Sequence, residues 1–271
     1  MASYYLSKAS EQYVKLIENS ENNAKYNKYY ARTLTNIGAN YLKLEEYGKA
    51  NDILEKARNL KLNLYSDSPN TNEANEDIAW TELNQGYSYL GLKKFDEAKT
   101  SFTNAYDRRY VCLTRNQGSE KYQIQVAWIL NDIGEFYLTY SQKLDLSQEM
   151  KKAQIEMAIQ CFNASLTYKY SILKQTENPD VFKQYIAWSQ HNLGICYLEC
   201  SEYEKATSSL IKAYNISKNL SKENPNEFKM LCKETKEQLV NLIIKLNSLK
   251  DTNPCFGNLI KRLNNTVNNK Y

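Results

Sequence analysis

The chain has 271 residues, of which 42% are hydrophobic and 24% are charged, and its formal net charge is +4. This charge is small and is spread without a basic block, so we expect neither nucleic acid nor a membrane surface as a partner. The sequence contains no apolar run of 18 residues and no charged-then-apolar leader, which predicts a cytoplasmic protein.

Cysteine and histidine usage argues against metal and disulfide chemistry. The six cysteines show no CxxC spacing, and Cys196 and Cys200 lie four residues apart on a predicted helix. His191 is the only histidine, so a zinc site would have few nitrogen ligands. We therefore expect reduced thiols that pack as small apolar residues, and no metal or cofactor.

One segment recurs four times in a fixed register. Each copy has an Ala seven residues before a Gly, a Tyr three residues after it and a Leu four residues after it. The four glycines are Gly38, Gly86, Gly134 and Gly194, at separations of 48, 48 and 60 residues. A fixed period of this size predicts stacked helical units, each of which buries its apolar face only against its neighbours.

A second helix is predicted after each of these segments, because a small-large-small pattern follows at helical spacing. The four copies are Ala50-Leu54-Ala57, Ala98-Phe102-Ala105, Met157-Cys161-Ala164 and Ala206-Leu210-Ala213. Each unit is then a hairpin of helix A and helix B. Gly or Ala at the crossing point permits the closest approach of the two helices.

These motifs resemble the tetratricopeptide repeat. The Leu-Gly core of that family corresponds to Ile37-Gly38, Gln85-Gly86, Ile133-Gly134 and Leu193-Gly194, and its helix-A tyrosine corresponds to Tyr41, Tyr89, Tyr137 and Tyr197. Two features depart from the family: its period is 34 residues, and the proline that closes its helix B is missing here. The 14 extra residues per 48-residue unit would add about two turns to each helix.

The junctions between units carry a further resemblance. Asn178-Pro179 and Asn224-Pro225, each with a Phe three residues after the Pro, are predicted to start a helix A, and Ser68-Pro69-Asn70 is a weaker copy. Long repeats with such junctions look like a bacterial tetratricopeptide subclass that is often found beside protease-like or nucleotide-binding effector domains.

The resemblance implies an all-α, right-handed superhelical solenoid of antiparallel helix hairpins over residues 1–249, with four repeats and terminal half-repeats. The predicted ranges are a half-repeat at 1–22, repeats at about 23–67, 68–115, 116–176 and 177–222, and a capping helix at 225–249. The half-repeat is either a cap or the cut edge of a longer polypeptide. Residues 250–271 are expected to be a tail or a short docked helix.

The third unit carries an insertion of 11 residues near 141–150. Two alternatives remain open at this point. The insertion either extends a helix and its turn, or it forms a binding loop, since long connections in compact repeats are often functional.

Catalysis by this chain is not expected. The sequence has no P-loop, GxGxxG, HExxH or GxSxG motif. His191 lies in the middle of a predicted helix, and its equivalents in the other repeats are Thr35, Leu83 and Asn131. A residue at such a position is more readily a groove or packing group than a general base.

Binding is predicted along helix A, which lines the inner face of a superhelix. Two positions, six and two residues before each Gly, share one helix face. They are occupied by Arg32 and Asn36, Trp80 and Asn84, Trp128 and Asp132, and Trp188 and Asn192, with His191 beside the last pair. In families that resemble this one, the Asn row pairs with the backbone of an extended peptide. The Trp row could anchor apolar side chains, although packing within the stack would also explain both rows.

Capture of a carboxylate tail is not predicted, because Arg32 is the only basic residue in these rows and Asp132 opposes an acidic ligand. The sequence instead favours a non-catalytic scaffold or adaptor that binds a protein or peptide segment. Two alternatives stay open. The chain could be a structural or sensor subunit of a larger assembly with an effector partner, or an intracellular receptor for a short signalling peptide.

Overall fold

The structure, a computed structural model, describes residues 2–19, 23–143, 145–177, 179–223, 225–249 and 256–268. Within these ranges the ordered elements are helices that follow one another along the chain, as expected for an all-α fold. Their bounds are α1 (Ala2–Asn19), α2 (Asn23–Lys43), α3 (Tyr47–Leu64), α4 (Asn72–Gly91), α5 (Phe95–Arg115), α6 (Glu120–Ser141), α7 (Gln148–Leu173), α8 (Pro179–Glu199), α9 (Tyr203–Glu223), α10 (Pro225–Leu249) and α11 (Phe256–Asn268). No helix in the described part of the chain is long and apolar enough to cross a membrane.

The helices form two compact units, and the division falls inside α6. Unit 1 comprises Met1–Ile129 and unit 2 comprises Leu130–Tyr271. Unit 1 contains the hairpins α2/α3 and α4/α5, while unit 2 contains the hairpin α8/α9 and the packed pair α10/α11. The antiparallel hairpins of a tetratricopeptide-like fold are therefore present in each unit.

The repeat glycines lie at the crossing points of their hairpins, as predicted. A Cβ atom added at Gly86 would lie 2.7 Å from Cε1 of Phe102, and one added at Gly194 would lie 2.6 Å from Cγ of Leu210. Helix B thus places its large residue directly on the helix-A backbone. Any side chain at the glycine would push the two helices apart.

The predicted register of helix B in the third repeat is wrong by one residue. A Cβ atom at Gly134 would lie 2.7 Å from Cε1 of Phe162, so Phe162, and not Cys161, is the large residue of the pattern. Ala158 and Phe162 are fully buried, whereas the side chain of Met157 is 39% exposed. The insertion had broken the repeat spacing, and two adjacent triplets, Met157-Cys161-Ala164 and Ala158-Phe162-Ser165, have the same internal spacing. Only the packing of the buried face distinguishes them.

The turn inside three hairpins has a shared geometry. Glu45, Lys93 and Ser201 each lie seven residues after the repeat glycine and have positive φ values of 57°, 59° and 58°. The next amide donates back to the carbonyl of the repeat tyrosine, as in Lys94 N to Tyr89 O at 2.8 Å. This closure satisfies a helix-end carbonyl and turns the chain sharply into helix B.

The first residue of α4 differs from the one predicted from the sequence. This helix begins at Asn72, and Oγ1 of Thr71 accepts a hydrogen bond from the amide of Ala74 at 3.2 Å. The predicted start at Ser68-Pro69-Asn70 is therefore wrong, because those residues form the preceding turn. Helices α8 and α10 do begin at Pro179 and Pro225, while Asn178 and Asn224 lie outside the described residues.

The insertion in the third repeat lengthens α7 at its N-terminus. Ten residues of α7, 148–157, precede Ala158, whereas α3 has only three, 47–49, before the equivalent Ala50. Oγ of Ser147 caps the extended helix by accepting from the amide of Met150 at 3.2 Å. The helical alternative thus accounts for most of the added residues.

Buried basic side chains link successive hairpins inside each unit. In unit 1 the Nζ atom of Lys61 donates to Oγ1 of Thr35 at 3.0 Å, to Oγ1 of Thr81 at 2.8 Å and to the carbonyl of Asp77 at 2.9 Å. In unit 2 Lys169 occupies the equivalent position. Both ammonium groups sit in polar cages without a carboxylate hydrogen bond, and burial lowers the pKa of each lysine to about 8.

Helix α11 packs against α10 and α9 at the C-terminal end of unit 2. Leu259, Ile260 and Leu263 of α11 join a cluster with leucines of α10, namely Leu239, Leu242 and Leu246. Leu263 is fully buried. This contact covers apolar surface of α10 that an unpartnered terminal helix would expose to water.

Candidate functional site

A groove of about 990 Å³ lies in unit 1 between α2 and α4, the helix-A elements of the first two repeats. The two helices are in direct contact, and Tyr47, the first residue of α3, also lines the groove. Three residues that the sequence predicts for the binding face, Asn36, Trp80 and Asn84, line it. The helix-A positions that the sequence predicted to share one face therefore line a concave surface in unit 1.

The two amides of the groove differ in how they are held. Asn84 is almost fully buried, and its Nδ2 atom donates to the carbonyl of Trp80 at 2.6 Å, which fixes the orientation of the amide. Asn36 is exposed and forms no hydrogen bond with another described side chain or backbone group. Asn36 can consequently offer both a donor and an acceptor to a ligand backbone.

The tryptophans of the predicted row are solvent-accessible. Trp80 is 44% exposed, Trp128 of the same unit is 40% exposed, and Trp188 of unit 2 is 37% exposed. Trp80 contributes to the groove wall, whereas Trp128 is not among the residues that line the groove. An indole that is left partly exposed by the fold is available as an anchor for an apolar ligand group.

Arg32 lies outside the groove lining and is held in an ion pair. Its Nε atom donates to both carboxylate oxygens of Asp77, at 3.0 and 2.9 Å, and its Nη2 atom lies 2.7 Å from Oδ2 of the same residue. The hydroxyl of Tyr65 also donates to Asp77 at 2.7 Å. The arrangement neutralises Arg32 and connects α2 to the following hairpin.

Asn192, a predicted site residue of unit 2, contacts the half-buried carboxyl group of Glu135. Nδ2 of Asn131 and Nδ2 of Asn192 both donate to Oε1 of Glu135, at 2.8 and 3.1 Å. Burial, reinforced by the charge of Asp132, raises the pKa of Glu135 to about 7, while the two amides and Lys169 act in the opposite direction. Asn192 is therefore committed to a contact within the unit.

His191 is a buried link between α8 and α10. Its Nδ1 atom lies 2.9 Å from Oγ1 of Thr235, and its ring centroid lies 6.0 Å from that of Trp188. Burial lowers the pKa of the imidazole to about 4, so the ring is neutral at physiological pH. The side chain is only 6% exposed, a placement that suits a structural role.

In the described ranges, no group of three or more His, Cys, Asp or Glu side chains is arranged to hold a metal ion. The cysteines at 112, 161, 196, 200 and 232 are free thiols. Burial raises the pKa of Cys161 to about 11 and that of Cys196 to about 12, so both are protonated at neutral pH.

Several groove residues were missed by the sequence rows. Asn40 and Lys43 of α2, and Tyr87 and Leu90 of α4, line the groove together with Tyr47 of α3. Lys43 lies seven residues after Asn36, so extending the helix-A face by about two turns past Asn36 would have found it. Tyr47 gives no periodic signal, since it reaches the groove from the start of the next helix.

Comparisons with known proteins leave the family open. No protein-family model matches the chain, and no curated protein matches it either. Similar solved structures include BtubC from P. vanneervenii, with 15% identity over 81% of this chain and 91% of that chain and a TM-score of 0.45. They also include the APC/C hetero-tetramer Cut9-Hcn1 (15% identity, 95% and 52% coverage, TM-score 0.26) and yeast Tom70 (13% identity, 100% and 78% coverage, TM-score 0.19).

Proposed function

We propose that this protein is a non-catalytic interaction scaffold that binds a segment of a partner protein in the groove between α2 and α4. The observation that carries the proposal is the groove itself. Its volume of about 990 Å³ is in the range of pockets that enclose small ligands or several peptide residues. Its wall combines an exposed indole with amides, which suits an apolar side chain and a polypeptide backbone respectively.

Trp80 and Asn36 are the residues expected to contribute most to binding. Both are accessible, and neither supports a hydrogen bond from its own side chain to another described element. Replacing Trp80 with Ala should therefore leave the fold intact while removing an aromatic anchor. A hot-spot residue of this kind contributes about 2 kcal/mol or more, which corresponds to a loss of affinity of roughly 30-fold.

The test is affinity capture from the native host with three forms of the full chain: wild type, Trp80→Ala with Asn36→Ala, and Tyr110→Ala. Tyr110 lies on α5, is 43% exposed and does not line the groove, so it matches Trp80 as an accessible aromatic residue. We expect one partner to be retained by wild type and Tyr110→Ala and lost by the double variant. Retention by all three, with equal helicity by circular dichroism, would move the interface elsewhere.

A second candidate function is a structural or sensor subunit of a larger assembly. The observation that favours it is an apolar strip on α10. Met230 is 69% exposed, Ile244 is 63% exposed and Val240 is 38% exposed, and these residues recur at helical spacing. In this alternative, charged substitutions at Met230 and Ile244 would release a stable partner that the groove variant retains. A receptor for a short signalling peptide would use the groove and would respond to Trp80→Ala.

A further inference from the structure

The charge of the unit 1 groove points to the composition of the segment that binds there. Among the described residues that line it, Lys43 is the only lysine or arginine, and none is an aspartate or a glutamate. Arg32 is neutralised by Asp77 and does not line the groove. A positively charged ligand group near Lys43 would be repelled, because no carboxylate among the described lining residues offsets the lysine.

Lys43 has no ion-pair partner within the described residues, and it is exposed at the rim. Neighbouring lysines are different. Lys49 pairs with Glu46 on the same hairpin, and Lys28 pairs with Glu73 across to α4. Among the described residues that line the groove, Lys43 thus supplies an unpaired cation, and it lies beside Leu42 and Tyr47 in that lining.

The apolar part of this lining exists because Gly91 has no side chain. Tyr47 packs against Gly91 so closely that a Cβ atom there would lie 2.3 Å from Cδ1 of the Tyr47 ring. In the first repeat the position of Gly91 is held by Lys43 itself, 48 residues earlier. A side chain at position 91 would displace the Tyr47 ring, which lines the groove together with Leu42 and Leu90.

We propose that this groove selects a segment that places a large apolar side chain within about three residues of an aspartate or glutamate. The inference rests on the proposed scaffold function. Asn36 and Lys43 are seven residues apart on α2, or about 10 Å, at a helical rise of 1.5 Å per residue. An extended segment advances about 3.3 Å per residue, so about three of its residues span the groove from Asn36 to Lys43. An apolar side chain that enters the groove between these two residues, against Trp80 or Leu90, therefore lies within about three residues of an acid at Lys43.

The test uses a phage-displayed library of random 12-residue peptides, fused at their C-termini and selected on the immobilised full chain. Four forms of the chain are compared: wild type, Trp80→Ala, Lys43→Glu and Lys99→Glu. Lys99 is exposed on α5 and lies outside the groove, so its reversal makes the same change in net charge. The C-terminal fusion ensures that only side-chain carboxylates are offered to Lys43.

We expect peptides selected on wild type to share an apolar residue close to an acidic one. Their binding should fall about tenfold with Lys43→Glu and stay unchanged with Lys99→Glu. Selection on Lys43→Glu should in turn replace the acidic residue with Lys or Arg. Peptides that depend on Trp80 but show no acidic preference would overturn this inference and leave the scaffold function standing. Peptides that do not depend on Trp80 would overturn both.

Discussion

Replacing Gly86 with Ala tests whether close helix crossing holds the second repeat together. Alanine favours a helix over glycine by about 1 kcal/mol, so the substitution alone would stabilise α4. At this site, however, the new Cβ would lie 2.7, 2.8 and 2.9 Å from three atoms of the Phe102 ring. The ring is buried and packs edge-on to Tyr87 with 5.3 Å between ring centroids, so it has little room to move. Overpacking costs about 1 to 3 kcal/mol, which predicts a net destabilisation of up to about 2 kcal/mol.

The same clash predicts strong coupling to Phe102. Phe102→Ala should cost about 3 to 5 kcal/mol by itself, because it empties a buried site. In that background the methyl group introduced at position 86 meets no ring, so Gly86→Ala should become neutral or stabilising. The coupling energy expected from urea unfolding followed by circular dichroism is then about 1 to 3 kcal/mol. Gly48→Ala is the matched control, since a Cβ atom there meets nothing within 4 Å. Additive effects of the two substitutions would refute the crossing-point argument.

Three further predictions concern buried charges and the hairpin turn. Glu135 has a pKa of about 7 in the folded protein and near 4.5 when unfolded. Between these pH values the folded state binds more protons, so the free energy of unfolding falls as pH rises. In urea titrations the wild type should lose stability on the order of 3 kcal/mol between pH 4.5 and 7, and Glu135→Gln should abolish this loss. Lys61 releases its proton near pH 8 in the fold and near 10.5 when unfolded, so stability should rise across that window. Lys61→Met should abolish the rise and change stability at pH 7 by no more than about 1 kcal/mol, whereas an unchanged pH profile would contradict the assignment. Lys93→Gly should raise the urea midpoint of unfolding, because the left-handed backbone at φ 59° costs a residue with a side chain about 1 kcal/mol. A lower midpoint would show that the turn tolerates lysine without strain.

Residues at helix crossings were the most predictable part of the fold. A glycine and a large residue that recur 16 positions apart, as Gly38 and Leu54 do, can be buried together only if the two helices cross there. The sequence therefore predicted which faces meet. The prediction was wrong in the third repeat, because the insertion changed the distance between helix A and helix B. Cys161 and Phe162 were then both compatible with the spacing. Burial, which decides between them, is a property of the packed unit.

The buried lysines were not predictable from residue type. Lysine is rarely buried, so Lys61 and Lys169 would be assigned to the exposed face of helix B. With the corrected register, the second and third repeats carry Arg109 and Lys169 at the position of Lys61, and Arg109 is also buried. The recurrence becomes visible only after the third repeat is aligned on Phe162.

The candidate groove was partly predictable. Asn36, Trp80 and Asn84 were found from their register, because the C-terminal part of each helix A lines the groove. Arg32 shares that register, yet it turns to Asp77 since a carboxylate lies within reach on the next helix A. Tyr47 could not be found, because its position depends on the left-handed turn at Glu45 that directs α3. The continuation of the rows into unit 2 as one binding surface stays a prediction.

Helix-A positions that contact the next helix vary in a different way from those that line the groove. The residue three positions before the repeat glycine contacts the next helix along the stack. Oγ1 of Thr35 lies 3.0 Å from Oγ1 of Thr81, and Nδ1 of His191 lies 2.9 Å from Oγ1 of Thr235. The second repeat has Leu83 at this position, so polar and apolar residues both serve there. Such exchange is what packing and hydrogen-bond satisfaction permit, and the contact of His191 with Thr235 is of the same kind. The groove of unit 1 varies in another way, because the residue that follows the repeat glycine is Ala39 in the first repeat and Tyr87 in the second, and both line the groove. A methyl group in one repeat and a phenol ring in the next give the two groove walls different chemistry, while the crossing glycines keep the backbones in place. Specificity of the proposed scaffold would therefore reside in the groove lining and not in the crossing residues.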